Sequence, residues 1–380
     1  MKVVNTVDEK TEIIDKQTEE KIKDGIDKVI IPQPNNKAVC VALPVTGGKP
    51  LRLTGNNIQE FIPLLKDSSV AWLNFPVKDV TKDADMISTF LGFTSSLIPA
   101  ILSNHLSAYE DRDTEMGLMV PAVMVQKFDV TMSPILILIR KDLIVTIHND
   151  NVKRLVRFSR YADAFMRKIK PNLSLQDKLS IILTRIIEEN SDSNFEHLRY
   201  LEEQGDELSK GLLDTMTPRG VLAPEIYNMK HALITYLDAL WATLDVINSL
   251  RHGDAELITD DRKLLARIGI LSDDVNRHIA LSEHMSEVLA SGLEVLQSIY
   301  NNQLQMLNNR LAFVMTWLTI LGTAVLVPNT LATIFSNPAF NMGSEDKIWY
   351  SALLVISTIT STWIAYFYIK KKGLLQFKVE

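Results

Sequence analysis

The sequence predicts an α+β cytosolic domain, then long stalk helices, then a two-helix transmembrane hairpin near its C-terminal end. Three observations predict it. Short β-rich runs crowd the stretch before Pro171. Helical periodicity takes over after it. Two uncharged runs, Leu311 to Phe335 and Ile348 to Ile369, lie just ahead of a short basic tail. A helix of about 25 residues rises about 38 Å, more than the ~30 Å hydrocarbon core of a bilayer.

In chain order, residues 1–36 form a charged N-terminal extension without the apolar core of a signal peptide. Residues 37–170 form the α/β domain. Its strands are expected at AVCVALPV (39–46), VAWLNFPV (70–77), VPAVMVQKFDV (120–130) and PILILIRKDLIVTIHND (134–150), with helical patterns around DADMISTFLGF and SSLIPAILSNHL. Residues 171–270 form an acidic helical region, in which Leu179, Ile182, Ile186, Leu198, Leu201, Leu208 and Leu212 keep near-heptad spacing. Residues 271–310 form the stalk helix, without proline, and run straight into the first span at 311–335. Together these predict one continuous helix of about 60 residues. Val275, Met285, Val288, Gly292, Val295 and Ile299 form a seam that needs partners. Residues 336–347 form an extracytoplasmic loop, 348–369 the second span, and 370–380 the basic tail.

The flanks set the orientation. Arg310 precedes the first span, and Lys370, Lys371 and Lys372 follow the second. The connector carries Glu345, Asp346 and Lys347, with no excess of positive charge. The positive-inside rule then puts both chain ends in the cytoplasm of a cell whose inner or plasma membrane holds the hairpin.

Composition excludes several classes. The net charge is −6 and no basic stripe is present, which argues against a nucleic-acid partner. The single cysteine, Cys40, excludes a disulfide framework and reads as a buried thiol. There is no glycine-rich phosphate loop, no HExxH and no Ser/His pairing, so neither an enzyme nor a resident cofactor is expected. His148, after LIVTI, reads as a strand-end histidine.

Steps of four and three along the first span pass through Asn301, Gln305, Asn308, Ala312, Met315, Thr319, Gly322, Leu326, Asn329, Thr333 and Ser336. This face is polar or small apart from Met315 and Leu326. Asparagine in hydrocarbon is costly unless it meets a cavity or a partner helix. Two readings stand side by side: a pore face with two apolar constrictions, or a face for tight helix packing. One helix cannot make a pore, so the first reading requires a homo-oligomer. No charged side chain lies in the span, so an ion would be read by carbonyl, amide and hydroxyl oxygens around its hydration shell, as suits Mg²⁺. Pro328 should loosen the helix near one end.

Several segments resemble the CorA family of divalent-cation transporters, the 2-TM-GxN family. They are DVNRH at 274–278, SGLEVLQSIYNNQ at 291–303, NRLAFVMTWLTILGTAVLVP at 309–328, LIVTIH at 143–148 and the terminal YIKKKGLL. The resemblance implies a CorA-like homopentamer with a cytosolic funnel, a central pore lined by the first span, an outer Gly-Met-Asn signature and a lysine-rich ring at the inner mouth. The Gly-Met-Asn signature is absent. Ser336-Asn337 follows Phe335 where the signature should stand, and Asn341-Met342-Gly343 carries its residue types in reverse order. Arg277 stands before His278 where the family commonly places an aspartate. Ser103-Asn104 replaces a Glu-Asp pair, and Asn301 replaces an inner acid.

On this resemblance the chain is a channel or transporter of divalent cations, Mg²⁺ first, with the lipid bilayer and copies of itself as partners. Asn337 and Ser336 would form the outer ring, with Thr333 and Asn329 along the pore. Met315 and Leu326 would form hydrophobic gates, and Asn301 and Asn308 the inner mouth. Lys370, Lys371 and Lys372 would form the basic ring or an orientation anchor. Asn337-Pro338 also fits a plain turn. The alternatives are a ZntB-like importer of zinc or another transition metal, and a non-conducting membrane-anchored scaffold or sensor.

Overall fold

The computed structural model describes residues 37–213, 219–252, 255–337 and 343–371. The expected N-terminal extension, residues 338–342 of the loop, Lys372 and the rest of the basic tail lie outside the described residues. The chain divides between Gly292 and Leu293 into two compact units.

The N-terminal unit is built on a seven-stranded sheet of order β2-β1-β3-β7-β6-β5-β4. The strands are β1 (Ala38–Pro44), β2 (Leu51–Gly55), β3 (Ser68–Val77), β4 (Ala108–Asp111), β5 (Glu115–Gln126), β6 (Asp129–Arg140) and β7 (Leu143–Asn149). All neighbours are antiparallel except β3 and β7, which run parallel. Side chains alternate faces along a strand, so β3 feeds two cores. Val70 and Trp72 join one, and Ala71, Leu73 and Phe75 join the other.

The second core is covered by three short helices, α1 (Ile62–Lys66), α2 (Val80–Phe90) and α3 (Leu97–Leu102). Phe61, Ile87, Leu97 and Ile101 pack there on Cys40, Leu136 and Val145. The larger core lies under α4 (Lys153–Phe158), α5 (Ala162–Met166), α6 (Leu175–Ser191), α7 (Asn194–Leu213), α8 (Arg219–Arg251) and the start of α9 (Arg262–Phe335). The sheet is thus a middle layer with helices on both faces. Ser174 caps α6, its side chain accepting from the Asp177 amide at 3.0 Å.

Four expectations change in detail. The run 120–130 is not one strand: β5 ends at Gln126 and β6 starts at Asp129, around the turn Lys127-Phe128. The run 134–150 is a hairpin rather than one strand, because Arg140 pairs with Leu143 around the two-residue turn Lys141-Asp142. The long helix begins at Arg262, not near residue 271. Asp261 caps it by accepting from the amides of Lys263 and Leu264 at 2.9 and 3.0 Å. The seam also takes a different line. Val275 and Met285 are buried, but the next buried position is Leu289, while Val288 is 52% exposed. Within the N-terminal unit the seam is therefore closed by this chain's own core.

Cys40 is fully buried, and burial pushes its thiol up to about 12. His148 is also fully buried, opposite Pro76 on β3. Its Nε2 lies 3.0 Å from Asn74 Oδ1 and its Nδ1 2.8 Å from the Asn149 carbonyl. Thr146 donates to Asn74 Oδ1 at 2.7 Å, and Trp72 Nε1 donates to Thr146 Oγ1 at 3.1 Å. Burial lowers the His148 imidazole to about 4, against smaller upward pulls from the Asn149 backbone and the Asp150 charge. This is a structural network linking β3 to β7.

The C-terminal unit contains the rest of α9 and α10 (Lys347–Lys371). These are two helices long and apolar enough to cross a membrane. Where they turn, the Phe335 ring meets Trp349 and Tyr350, each at 6.2 Å between centroids. Tyr350 donates its hydroxyl to the Ala332 carbonyl at 3.5 Å. Gly343 donates its amide to Asp346 Oδ2 at 3.0 Å and starts a short 3₁₀ turn into α10.

Candidate functional site

The candidate site is one face of α9. Every position of the stripe, from Asn301 through Asn308, Met315, Thr319, Leu326, Asn329 and Thr333 to Ser336, is exposed on the single chain. Met315 and Leu326 are 67% and 65% exposed. The opposite side is where α10 packs, and there Ile320 and Ile369 are buried. The hairpin leaves the stripe exposed, with Met315 and Thr319 at its edge beside α10.

Its hydroxyls are spoken for locally. Thr319 donates to the Met315 carbonyl and Thr333 to the Asn329 carbonyl, both at 2.8 Å. Ser336 donates to the Thr333 carbonyl at 2.9 Å. A serine or threonine bonded to its own preceding turn can stand in hydrocarbon without an orphan donor, and keeps its oxygen lone pairs for a further contact. The helix ends at Phe335, just before the last stripe position, Ser336. Ser336 still donates its amide to the Ala332 carbonyl at 2.9 Å, and Asn337 donates to the Ile334 carbonyl at 3.2 Å. Asn337 thus stands at the rim of α9, one residue before the residues outside the description. Lys370 and Lys371 lie in the last turn of α10. Pro328 lies inside α9, which continues through it to Phe335.

Among the described residues no group of three or more His, Cys, Asp or Glu side chains is placed to hold a metal ion. The acids that do cluster are already paired. In the N-terminal unit Glu188 accepts from Arg267 at 2.9–3.1 Å and from Arg185 at 3.2 Å. Buried Glu189 takes Arg185 and the Tyr161 hydroxyl. A recess of about 790 Å³ beside them is lined by Glu188, Asp192, Phe195, Arg267, Arg277 and His278. Burial, then the Glu189 charge, raises Asp192 above the ordinary carboxylate range. Burial, then Arg277, lowers His278. Arg277 pairs with Asp274 on its own helix. Ser103 and Asn104 stand exposed after α3.

One feature of the span escaped the stripe. Met315 and Thr319 also line a groove of about 820 Å³ between α9 and α10. Its α9 wall includes Thr316 and Thr323, seven residues apart, a repeat visible in the sequence but off the stripe.

An α/β/α unit, a long helix, an apolar hairpin and an uncharged polar face along it fit a membrane transport protein. Residues 67–371 match the family described as CorA-like Mg²⁺ transporter protein, and the chain belongs to that family. It is thereby a divalent-cation transporter of the membrane. It is 23% identical over 272 residues to the cobalt/magnesium transport protein CorA of Methanocaldococcus jannaschii, covering 71% of this chain and 80% of that protein. The fold agrees with the complete CorA magnesium transporter structure from Methanocaldococcus jannaschii: TM-score 0.64, 19% identity, 90% of this chain and 100% of that one. The full-length CmaX protein gives a TM-score of 0.59 at 13% identity, covering 89% of this chain and 99% of that one. The ZntB cytoplasmic domain from Vibrio parahaemolyticus gives 0.54 at 14%, covering 71% of this chain and 100% of that one.

Proposed function

We propose that the chain acts as a homopentamer that passes Mg²⁺ through a central path lined by the α9 stripe. The observation that carries this reading is the stripe itself: uncharged, polar or small apart from Met315 and Leu326, and exposed throughout on a helix of spanning length. Asn337, with Ser336, forms the ring that reads the hydrated ion, and Asn329 and Thr333 continue it. Amide and hydroxyl oxygens suit a hard cation that keeps its waters. Met315 and Leu326 form apolar constrictions that control wetting. Asn301 and Asn308 line the inner mouth, and Lys370, Lys371 and Lys372 ring it. Both chain ends lie in the cytoplasm, with residues 336–347 outside the cell membrane.

Arg277, already paired with Asp274, supports a related reading: intracellular Mg²⁺ does not close this protein through that position. Protection of the Arg277 region from proteolysis by millimolar Mg²⁺ would count against it.

The test is uptake of Mg²⁺, Zn²⁺, Co²⁺ and Ni²⁺ into proteoliposomes. Mg²⁺ uptake is expected to fall at least tenfold in Asn337→Ala. Zn²⁺ preferred over Mg²⁺ would favour a ZntB-like importer. No flux of any ion through a folded pentamer would favour a scaffold or sensor.

A further inference from the structure

The recess of about 790 Å³ in the N-terminal unit has the size of a small-molecule site. It lies between the end of α6 and the first part of α9. Two polar atoms of its wall have no partner among the described residues. Ser191 is only 7% exposed, and its Oγ is buried and unbonded. Nδ1 of His278 is buried and unbonded as well. An unmatched buried polar atom costs stability, so a pair of them on one recess points to something taken up there.

Charge decides what that is. Three carboxylates, Glu188, Asp192 and Asp274, stand against two guanidiniums, Arg267 and Arg277. Glu188 takes Arg267 through both its oxygens, and Asp274 takes Arg277. Asp192 makes no ion pair among the described residues. Its carboxyl stands above the ordinary range through burial and then the Glu189 charge, as suits an acid short of a counter-charge. Burial, then Arg277, holds the His278 imidazole low and therefore neutral at pH 7. With the proton on Nε2, its Nδ1 is an acceptor. An anion would add to the surplus negative charge of this wall, whereas a cation neutralises it.

Much of the remaining wall is apolar. Phe195 and Ile270 are 58% and 61% exposed, and the Phe195 ring lies 6.5 Å from that of His278. A hard metal ion gathers six or more oxygens and gains nothing from such a wall. A primary ammonium has three N–H donors, matching the carboxylate, the hydroxyl and the imidazole nitrogen. An aromatic face also attracts it.

We propose that the recess binds a small free molecule bearing a primary ammonium on an apolar group, the ammonium at Asp192, Ser191 and His278 and the apolar part against Phe195 and Ile270. Bound there, it joins the end of α6 to α9. Binding does not depend on the pore reading, since no residue of the spans takes part.

The test titrates phenethylammonium chloride into the full chain in lipid nanodiscs by calorimetry, with empty nanodiscs subtracted, and follows hydrogen exchange on the same sample. Saturable binding is expected, with protection gained in residues 188–195 and 267–281. Asp192→Asn is expected to weaken binding about tenfold, and Ser191→Ala about threefold. Phe195→Ala, a change at an exposed side chain, is expected to weaken it about fivefold. 2-Phenylethanol, of the same shape without the charge, is expected to bind about tenfold more weakly than the amine. Equal binding of the alcohol would overturn the proposal, as would unchanged affinity in both Asp192→Asn and Phe195→Ala, or protection confined to other segments. So would the absence of saturable binding at millimolar probe, as when a lysine of a second copy already fills the recess.

Discussion

In the N-terminal unit the chain seals its own apolar surface. Trp72, Phe158 and Ile137 are fully buried, and the polar groups beside them answer one another within the sheet. In the C-terminal unit the large apolar side chains stand outward, from Leu311 on α9 to Ile348 on α10, the latter 84% exposed. Its threonines bond back to their own helix, while the Tyr350 hydroxyl reaches from α10 to the Ala332 carbonyl of α9. The first unit completes its core by folding. The second leaves its apolar and stripe faces open on the single chain. Water drives burial in the first case, whereas in the bilayer apolar surface gains nothing by hiding from lipid, and packing of small residues decides. The same side-chain types therefore carry different information in the two units.

The difference between the units is largest at Trp72. This ring packs on Phe158 at 4.8 Å between centroids and holds Thr146 across the β3–β7 pair. Trp72→Ala is expected to cost about 3–5 kcal/mol, read as lost hydrogen-exchange protection in β3 and β7 of the full chain. If the C-terminal helices lost protection equally, the two units would not be separate in stability.

Acid sharpens the same contrast. His148 is held near 4 in the folded state, against about 6.5 in the unfolded chain. The unfolded state takes up its proton first as pH falls. The stabilisation is therefore full above about pH 6.5 and declines as pH drops toward 4, by about 2 kcal/mol at pH 5. Hydrogen exchange at pH 7 and pH 5, corrected for intrinsic rates, should show β7 weakening, and His148→Asn should flatten the dependence.

Two substitutions on the exposed helix should leave folding almost untouched. Leu326→Ser is expected to raise ion flux about fivefold by wetting the constriction; unchanged flux would remove Leu326 as a gate. Thr330→Val replaces a hydroxyl tied to the Leu326 carbonyl. It should change stability by less than about 0.5 kcal/mol, read as an unchanged melting temperature.

What the sequence made legible follows from the same contrast. The buried strands announced themselves through apolar runs, as at 70–77. β2 and β4 did not, because LRLTG is almost wholly exposed and AYED is short and mostly polar. The β6–β7 turn was hidden because Lys141-Asp142 interrupts the apolar run by only two residues. The start of α9 was marked by the Asp261 cap, a signal easily lost beside the acids around it. The seam shifted from Val288 to Leu289 because a core wraps a helix at nearer 3.6 than 3.5 residues per turn. The stripe was readable because a lone helix maps onto its face by periodicity alone. The groove was not, because it takes α10, antiparallel and opposite, to give Thr316 and Thr323 a second wall.

On the pore reading, the α9 stripe faces water inside an assembly while its flanks do not. This is tested most directly by placing single cysteines from Leu318 to Thr333 and treating membranes with a charged, membrane-impermeant methanethiosulfonate. Cys40 gives no background, since it is buried and its thiol stays protonated. Modification is expected at Thr319, Gly322, Asn329 and Thr333, and protection at Leu318, Thr323 and Val325. Uniform protection along the span, or reactivity centred on Leu318 and Val325, would contradict it.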